Sequence, residues 1–332
     1  MLVAFNARTL VTMGVKLKTI GRHSNSGIGE LFTFSAALWL SQACSTVALQ
    51  TDKFIVGLMT GPIALAWYSI PAKVGEQLAT AVGRVSMALY PLTGSYAGRG
   101  DRDSLVALYH AFLRLGLMLS VIAVVIAKTH GAEILHLWLG VNLPANAGSI
   151  LLIAVLTALF RTPGTIAYNV ANGLGRAGIT LLAGAAGAAA SALGVYLGAA
   201  HNGPIGAASG FLASAILTNL AFDGVVRVHL LGEGPREWGE PYLRTVLTLI
   251  ITSLVSLPLA AVSRDSLPMV VIKACAAVAL SLVVGFYSRL LRMADIRLLL
   301  QKEERGVAFT REDTEKCNVC SAFPGSLSEA PH

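Results

Sequence analysis

Residues 148–172 read GSILLIAVLTALFRTPGTIAYNVAN. This run decides the fold. At 1.5 Å per residue, a helix of this length crosses the roughly 30 Å hydrocarbon core of a bilayer. One arginine, Arg161, stands near its middle, beside Pro163 and Gly164. Seven more apolar segments flank it, at 31–59, 64–93, 105–127, 177–199, 204–226, 244–262 and 268–288. Basic residues gather at every second joint between them. Arg8, Lys16, Lys18 and Arg22 precede the first segment; Arg99 and Arg102, then Arg176, then Arg227, Arg236 and Arg244 follow in turn. Arg289, Arg292, Arg297, Lys302 and Arg305 come after the last. The alternate joints are nearly free of positive charge, so the positive-inside rule puts both termini in the cytoplasm and makes the helix count even. The expected fold is all-α: a polytopic membrane helix bundle of about eight transmembrane helices, built as one six-helix lobe plus two extra helices.

Composition agrees. Of 332 residues, 55% are hydrophobic and 13% charged, and mean hydropathy is +0.67. A soluble domain carries about 25% charged residues. The net charge of +7 is explained by topology, so no nucleic-acid partner is expected. Residues 1–30 lack the short apolar core of a cleavable signal peptide. They read as a cytoplasmic lead-in, with the lobe at 31–231. A cytoplasmic linker at 232–243, a helix pair at 244–291 and a partly disordered cytoplasmic tail at 292–332 complete the chain. The longest outer joint, 128–147, holds the apolar turn Ile134–Leu139, expected to lie at the interface with Trp138 as its anchor.

Chemistry-bearing motifs are absent from the sequence. Cys44 and Cys275 fall in helices, and Cys317 and Cys320 form one CxxC in the tail with no second pair to complete a zinc set. There is no Walker motif, HExxH or GxSxG. No outer joint is large enough for a catalytic domain. An enzyme, a metal and a cofactor are therefore not expected.

Function must be sought among ionisable groups inside the bundle, which are costly in lipid and mark a pathway or a partner. The second segment carries Lys73, Glu76, Gln77, Thr80 and Arg84 on one helical face. Such a stripe must face protein or water. It reads as a cavity wall, or as a Lys73–Glu76 pair with Arg84 snorkelling to the interface. In the first segment, Asp52 and Lys53 lie too deep for a short carboxylate to reach water. Asp52 reads either as a proton or cation site or as a counter-ion for Lys53 or Lys73. Arg161, Asn169 and Asn172 share the face of the fourth segment, and Arg161 needs an anion: a substrate phosphate, Asp52, Glu76 or Asp223. Arg114 and Asp223 complete the set; Asp223 also reads as an interfacial pair with Arg227, four residues on. The core set has an excess of cations, which suits a phosphate or pyrophosphate gripped by arginine.

The stretch Leu49-Gln50-Thr51-Asp52-Lys53-Phe54-Ile55-Val56-Gly57, followed by Gly61-Pro62, Ala66-Trp67-Tyr68-Ser69-Ile70 and Lys73, resembles the polysaccharide-biosynthesis flippases. These are lipid-linked oligosaccharide and O-antigen exporters of the multidrug/oligosaccharidyl-lipid/polysaccharide (MOP) superfamily. Ala88-Leu89-Tyr90-Pro91-Leu92 and Asn172-Gly173-Leu174-Gly175-Arg176-Ala177-Gly178 look like two further family joints. The resemblance covers about residues 28–230. It implies a polyprenyl-pyrophosphate-linked glycan as substrate, alternating access in the bacterial cytoplasmic membrane, and coupling to ions. Basic residues such as Lys73, Arg84 and Arg161 would hold the pyrophosphate and sugar acids, with Lys53, Asn169 and Asn172 completing the substrate-binding set, and Asp52 or Glu76 would couple. The family has two six-helix halves and this chain shows one, so the resemblance also implies an N-terminal half or a second chain as partner. Two other readings stand beside it: a half-transporter remnant or non-transporting subunit of a glycan-assembly complex, and a drug/cation antiporter.

Overall fold

The computed structural model describes residues 25–139, 144, 146–256 and 267–288. Most of the lead-in, the joint at 257–266 and the tail with Cys317 and Cys320 lie outside the described residues. Every described element is helical. In chain order they are α1 (Asn25–Thr60), α2 (Pro62–Ser86), α3 (Leu89–Arg99), α4 (Arg102–Leu139), α5 (Ala147–Gly173), α6 (Ala177–Val225), a π-helical turn (Val226–Leu231), α7 (Pro235–Val255) and α8 (Leu267–Tyr287). Four stretches are long and apolar enough to cross a membrane: Phe32–Thr60, Arg102–Leu137, Ala147–Gly173 and Ala177–Leu231. The architecture is that of a multi-pass membrane helix bundle.

Helix boundaries differ from the sequence expectation in four places. α1 begins at Asn25, inside the expected lead-in, and α7 begins at Pro235, so most of the linker expected at 232–243 is helical. The second segment, expected to run from 64 to 93, breaks at Met87 and Ala88, and α3 follows as a separate helix. Pro91 has no N–H to give to the carbonyl of Met87, which accepts from the Tyr90 N–H at 3.1 Å instead. The outer joint expected at 128–147 is mostly helix, because α4 runs on to Leu139. Its Gly131 packs so closely that an added Cβ would stand 3.0 Å from Leu151, so tight packing offsets the weak helix propensity of glycine. The Ile134–Leu139 turn is thus the last part of a 38-residue helix, roughly 57 Å long. At its start, the Asp101 carboxylate caps the Ser104 N–H at 3.0 Å.

The long α6 doubles back. Asn202 (φ −137°) and Gly203 (φ 55°) leave helical geometry, which separates two arms close to the expected 177–199 and 204–226. The arms press backbone on backbone: a Cβ on Gly198 would lie 2.0 Å from the Gly206 carbonyl oxygen, and one on Gly194 2.6 Å from that of Gly210. Only glycine permits that approach, as at small-residue interfaces in membranes generally.

α5 is the hub and packs on α2, α4 and α6. Its N-terminal half shares a core with α4, in which Leu151, Val155 and Leu159 join Leu113, Leu117 and Val121. A smaller core joins α1 and α2 to α6 through Val56, Tyr68, Val195 and Ala207. Among its described side chains α1 is buried only at Ser41, Asp52 and Val56, a stripe that meets α6 and, at Asp52, Tyr68 of α2. Phe32, Trp39, Phe54 and Leu58 on its other faces are exposed, where lipid is the solvent. The extra pair α7 and α8 packs on α4, and a Thr248–Ser288 hydroxyl bond of 2.8 Å links the two.

Candidate functional site

Between α1, α2, α5 and α6 lies a cavity of about 520 Å³. Gln42, Ser45 and Gln50 face it from α1, and Glu76, Thr80 and Arg84 from α2. α5 adds Arg161, Thr165, Tyr168 and Asn169; α6 adds Thr180, Ser191, Phe211, Thr218, Asn219 and Phe222. Glu76, Thr80 and Arg84 of the α2 stripe therefore face an open space, while Lys73 and Gln77, like Lys53 of α1, line neither it nor the chamber beside it. A small chamber of about 30 Å³ adjoins it, lined by Asp52, Tyr68, Glu76, Thr157, Arg161 and Phe211 among others. That is room for about two water molecules. Glu76, Arg161 and Phe211 form the wall common to both spaces.

The two carboxylates at this wall are already engaged. Asp52 is buried; one oxygen accepts the Tyr68 hydroxyl at 2.8 Å and the other the Lys53 backbone N–H at 2.8 Å. Glu76 bridges two lysines, with Lys53 on one oxygen and Lys73 on the other at 2.9 Å. Lys73 is 59% exposed and gives a loose pair. Tyr68, which the sequence offers only within the family stretch Ala66–Ile70 and not as a site residue, recurs with Ala72 and Glu76 every fourth residue on one face of α2.

Arg161 differs. It lines both spaces, and Glu76 and Asp52 are the carboxylates whose charge acts on it. Yet among the described residues none is hydrogen-bonded to its guanidinium or ion-paired with it within 4.0 Å. Pro163 and Gly164 follow it, and Gly164 lets the α6 helix come so close that an added Cβ would stand 2.1 Å from the Asn219 side-chain oxygen. Arg84 likewise makes no side-chain hydrogen bond or ion pair with a described residue. Asn169 faces the cavity while donating to the Ser86 hydroxyl at 3.0 Å. Asn172 lines neither space; it accepts from the Thr180 hydroxyl at 3.0 Å and ties α5 to α6. Among the described residues no group of three or more His, Cys, Asp or Glu could hold a metal ion.

Arg114 and Asp223 also lie off both spaces. Asp223 sits in a second polar centre at the basic end of the lobe. Tyr109 of α4 and Tyr242 of α7 donate to it, the latter at 2.6 Å. Arg227 stands 3.9 Å away and gives its Nε to Glu233 at 2.5 Å. Glu233 also meets His110 at 2.6 Å. Arg102 closes the centre by donating twice to the Leu231 carbonyl, at 3.0 and 2.7 Å. Asp223 and Arg227 are fully buried within the protein, so their pair is part of a larger buried network. Burial alone pushes the Glu233 carboxyl up, but His110 and Arg227 together outweigh it and hold the group below the ordinary glutamate range.

A family model described as polysaccharide biosynthesis protein matches residues 3–142. Over that stretch the chain is similar to the polysaccharide biosynthesis proteins. The match includes Asp52, Lys53, Lys73, Glu76 and Arg84, and ends before Arg161. A Shigella flexneri protein, provisionally described as an O-antigen transporter, is 25% identical over 153 residues, which make up 46% of this chain and 36% of the relative. The chain thus spans about a third of the length of the curated relative it matches. Among solved structures, a MOP superfamily transporter from Pyrococcus furiosus Vc1 (DSM3638), described with a binding pocket of reverse polarity, aligns at TM-score 0.47 and 16% identity, covering 78% of this chain and 65% of that one. An outward-facing multidrug-resistance transporter of the MATE family aligns at TM-score 0.47 and 16% identity, covering 82% and 66%.

Proposed function

We propose that this chain forms the substrate-holding lobe of a transporter that moves a polyprenyl-pyrophosphate-linked glycan across the bacterial cytoplasmic membrane by alternating access. One observation carries the reading: Arg161 faces the cavity with no side-chain partner among the described residues, while the carboxylates beside it are held by Tyr68, Lys53 and Lys73. A guanidinium placed so costs free energy unless an anion joins it, and it grips phosphate oxygens through two parallel hydrogen bonds. Arg84 lies on the same cavity. The amides and hydroxyls of α1, α5 and α6 are suited to the hydroxyl groups of sugars. Asp52 and Glu76 stand where the charge of a bound anion reaches them, which supports ion coupling through this pair. A second six-helix half, on this chain or another, completes the cavity, and both ends of this chain lie in the cytoplasm.

A cation antiporter needs an acidic cavity, and this one has more cations than carboxylates. The test is deletion of the encoding locus followed by extraction of polyprenyl-linked glycans and measurement of surface polysaccharide. The expected result is accumulated lipid-linked repeat units with loss of surface glycan, restored by the wild-type gene and not by Arg161→Gln. Unchanged intermediates and surface glycan in the deletion would overturn the proposal.

A further inference from the structure

Four charged residues line the cavity and chamber: Arg84 and Arg161, with Asp52 and Glu76. Lys53 and Lys73 line neither space but pair with Glu76 from behind it, so the six together carry an excess of two positive charges. The two carboxylates are committed to protein partners, so the excess resides on the two guanidiniums. Arg114 and Asp223, one charge of each sign, lie elsewhere and leave the balance unchanged. The rest of the polar lining consists of amides and hydroxyls.

We propose that this lobe's share of the site is matched to a head group carrying two negative charges, a pyrophosphate diester bearing uncharged sugars, and that the lobe by itself selects against heads with an additional acidic sugar. The inference rests on the anion-transport reading above and adds a substrate class to it. A pyrophosphate diester ionises once at each phosphorus, so each guanidinium has one phosphate to pair with. The register of the helices allows it. An added Cβ on Gly75 would meet the Ala154 backbone, and Ser86 bonds Asn169, so α2 and α5 run side by side. Arg84 therefore lies about two to six residues beyond the level of Arg161, roughly 3–9 Å along the axis, and both long side chains reach the space between. On this lobe a third negative charge finds no further cation in the lining among the described residues and faces Glu76. Like charges placed together are a common source of discrimination between ligands.

The experiment compares two probes that differ by one carboxylate, farnesyl-pyrophosphoryl-glucose and farnesyl-pyrophosphoryl-glucuronate. Their binding to the full chain purified in detergent is measured by calorimetry at neutral pH. The expected result is at least tenfold tighter binding of the glucose probe. Equal binding, or tighter binding of the glucuronate probe, overturns the charge match while leaving the anion site standing. Binding of neither probe overturns both readings. Thr80→Lys adds one cation at an exposed position on the cavity wall and is expected to abolish or reverse the preference, with thermal melting confirming that the variant folds. A preference unmoved by that variant also counts against the proposal.

Discussion

Two polar centres occupy the same lobe and use their charges in opposite ways. At the basic end, Asp223, Arg227, Glu233, His110, Tyr109 and Tyr242 satisfy one another, and the network joins α4, α6 and α7. In the cavity, Glu76 and Asp52 are satisfied, but Arg161 and Arg84 face open space. The first centre spends its polarity on holding helices together. The second leaves part of it without a hydrogen-bond or ion-pair partner among the described residues. Burial of charge therefore does not identify a functional site by itself; the partners do.

The largest expected effect comes from breaking the closed network. Arg227→Met leaves Asp223 and Glu233 buried without their guanidinium, and removing one member of a buried pair costs about 3–5 kcal/mol. Thermal melting in detergent should show a large loss of stability, and a wild-type melting curve would show that the network is not holding the helices. Arg161→Gln should do the reverse. Its melting temperature should stay near wild type, while binding of a polyprenyl-pyrophosphate probe weakens by about ten- to a hundredfold, as expected for a charged hydrogen bond of about 1.5–3 kcal/mol. If Arg161→Gln melts early and still binds, the contrast between the centres collapses.

Acid should act on the closed network. Because Glu233 is held below the ordinary glutamate range in the folded protein, its pairing stabilises the fold above that range, where it is ionised in both states. The contribution is lost as pH falls through the lowered folded value. Wild type should lose melting temperature as the buffer is taken below about pH 4.5, and Glu233→Gln should flatten that part of the profile. An identical profile in the variant would assign the acid sensitivity to other carboxylates. The smallest effect is expected from Lys73→Ala. Its ion pair with Glu76 is exposed and Lys53 still holds the carboxylate, so stability should fall by less than about 1 kcal/mol; a larger loss would mean that Lys73 is as tightly integrated as Arg227.

Much of the site was readable in the sequence because helical periodicity is a local property. Lys73, Glu76, Thr80 and Arg84 fall on one face by spacing alone, and the structure places Glu76, Thr80 and Arg84 on the cavity. What spacing does not reveal is which face meets which helix. Asn169 and Asn172 look equivalent along α5, yet one lines the cavity and the other bonds Thr180. Asp223 and Arg227 look like a pair at a helix end, but Tyr109, from more than a hundred residues earlier, makes them an interior network. Phe211 and Tyr168 carry no polar pattern that marks them as cavity walls.

The sequence by itself determined the apolar helices, the alternation of basic joints and the cost of every charge inside the bundle, because the hydrophobic effect and bilayer thickness act on segments one at a time. Only the tertiary structure decided which charges are spent and which remain. Lys53 turns to Glu76 rather than to its neighbour Asp52, and Tyr68 takes Asp52, because partner choice depends on distances across helices that sequence separation does not encode. That choice leaves Arg161 open to the cavity.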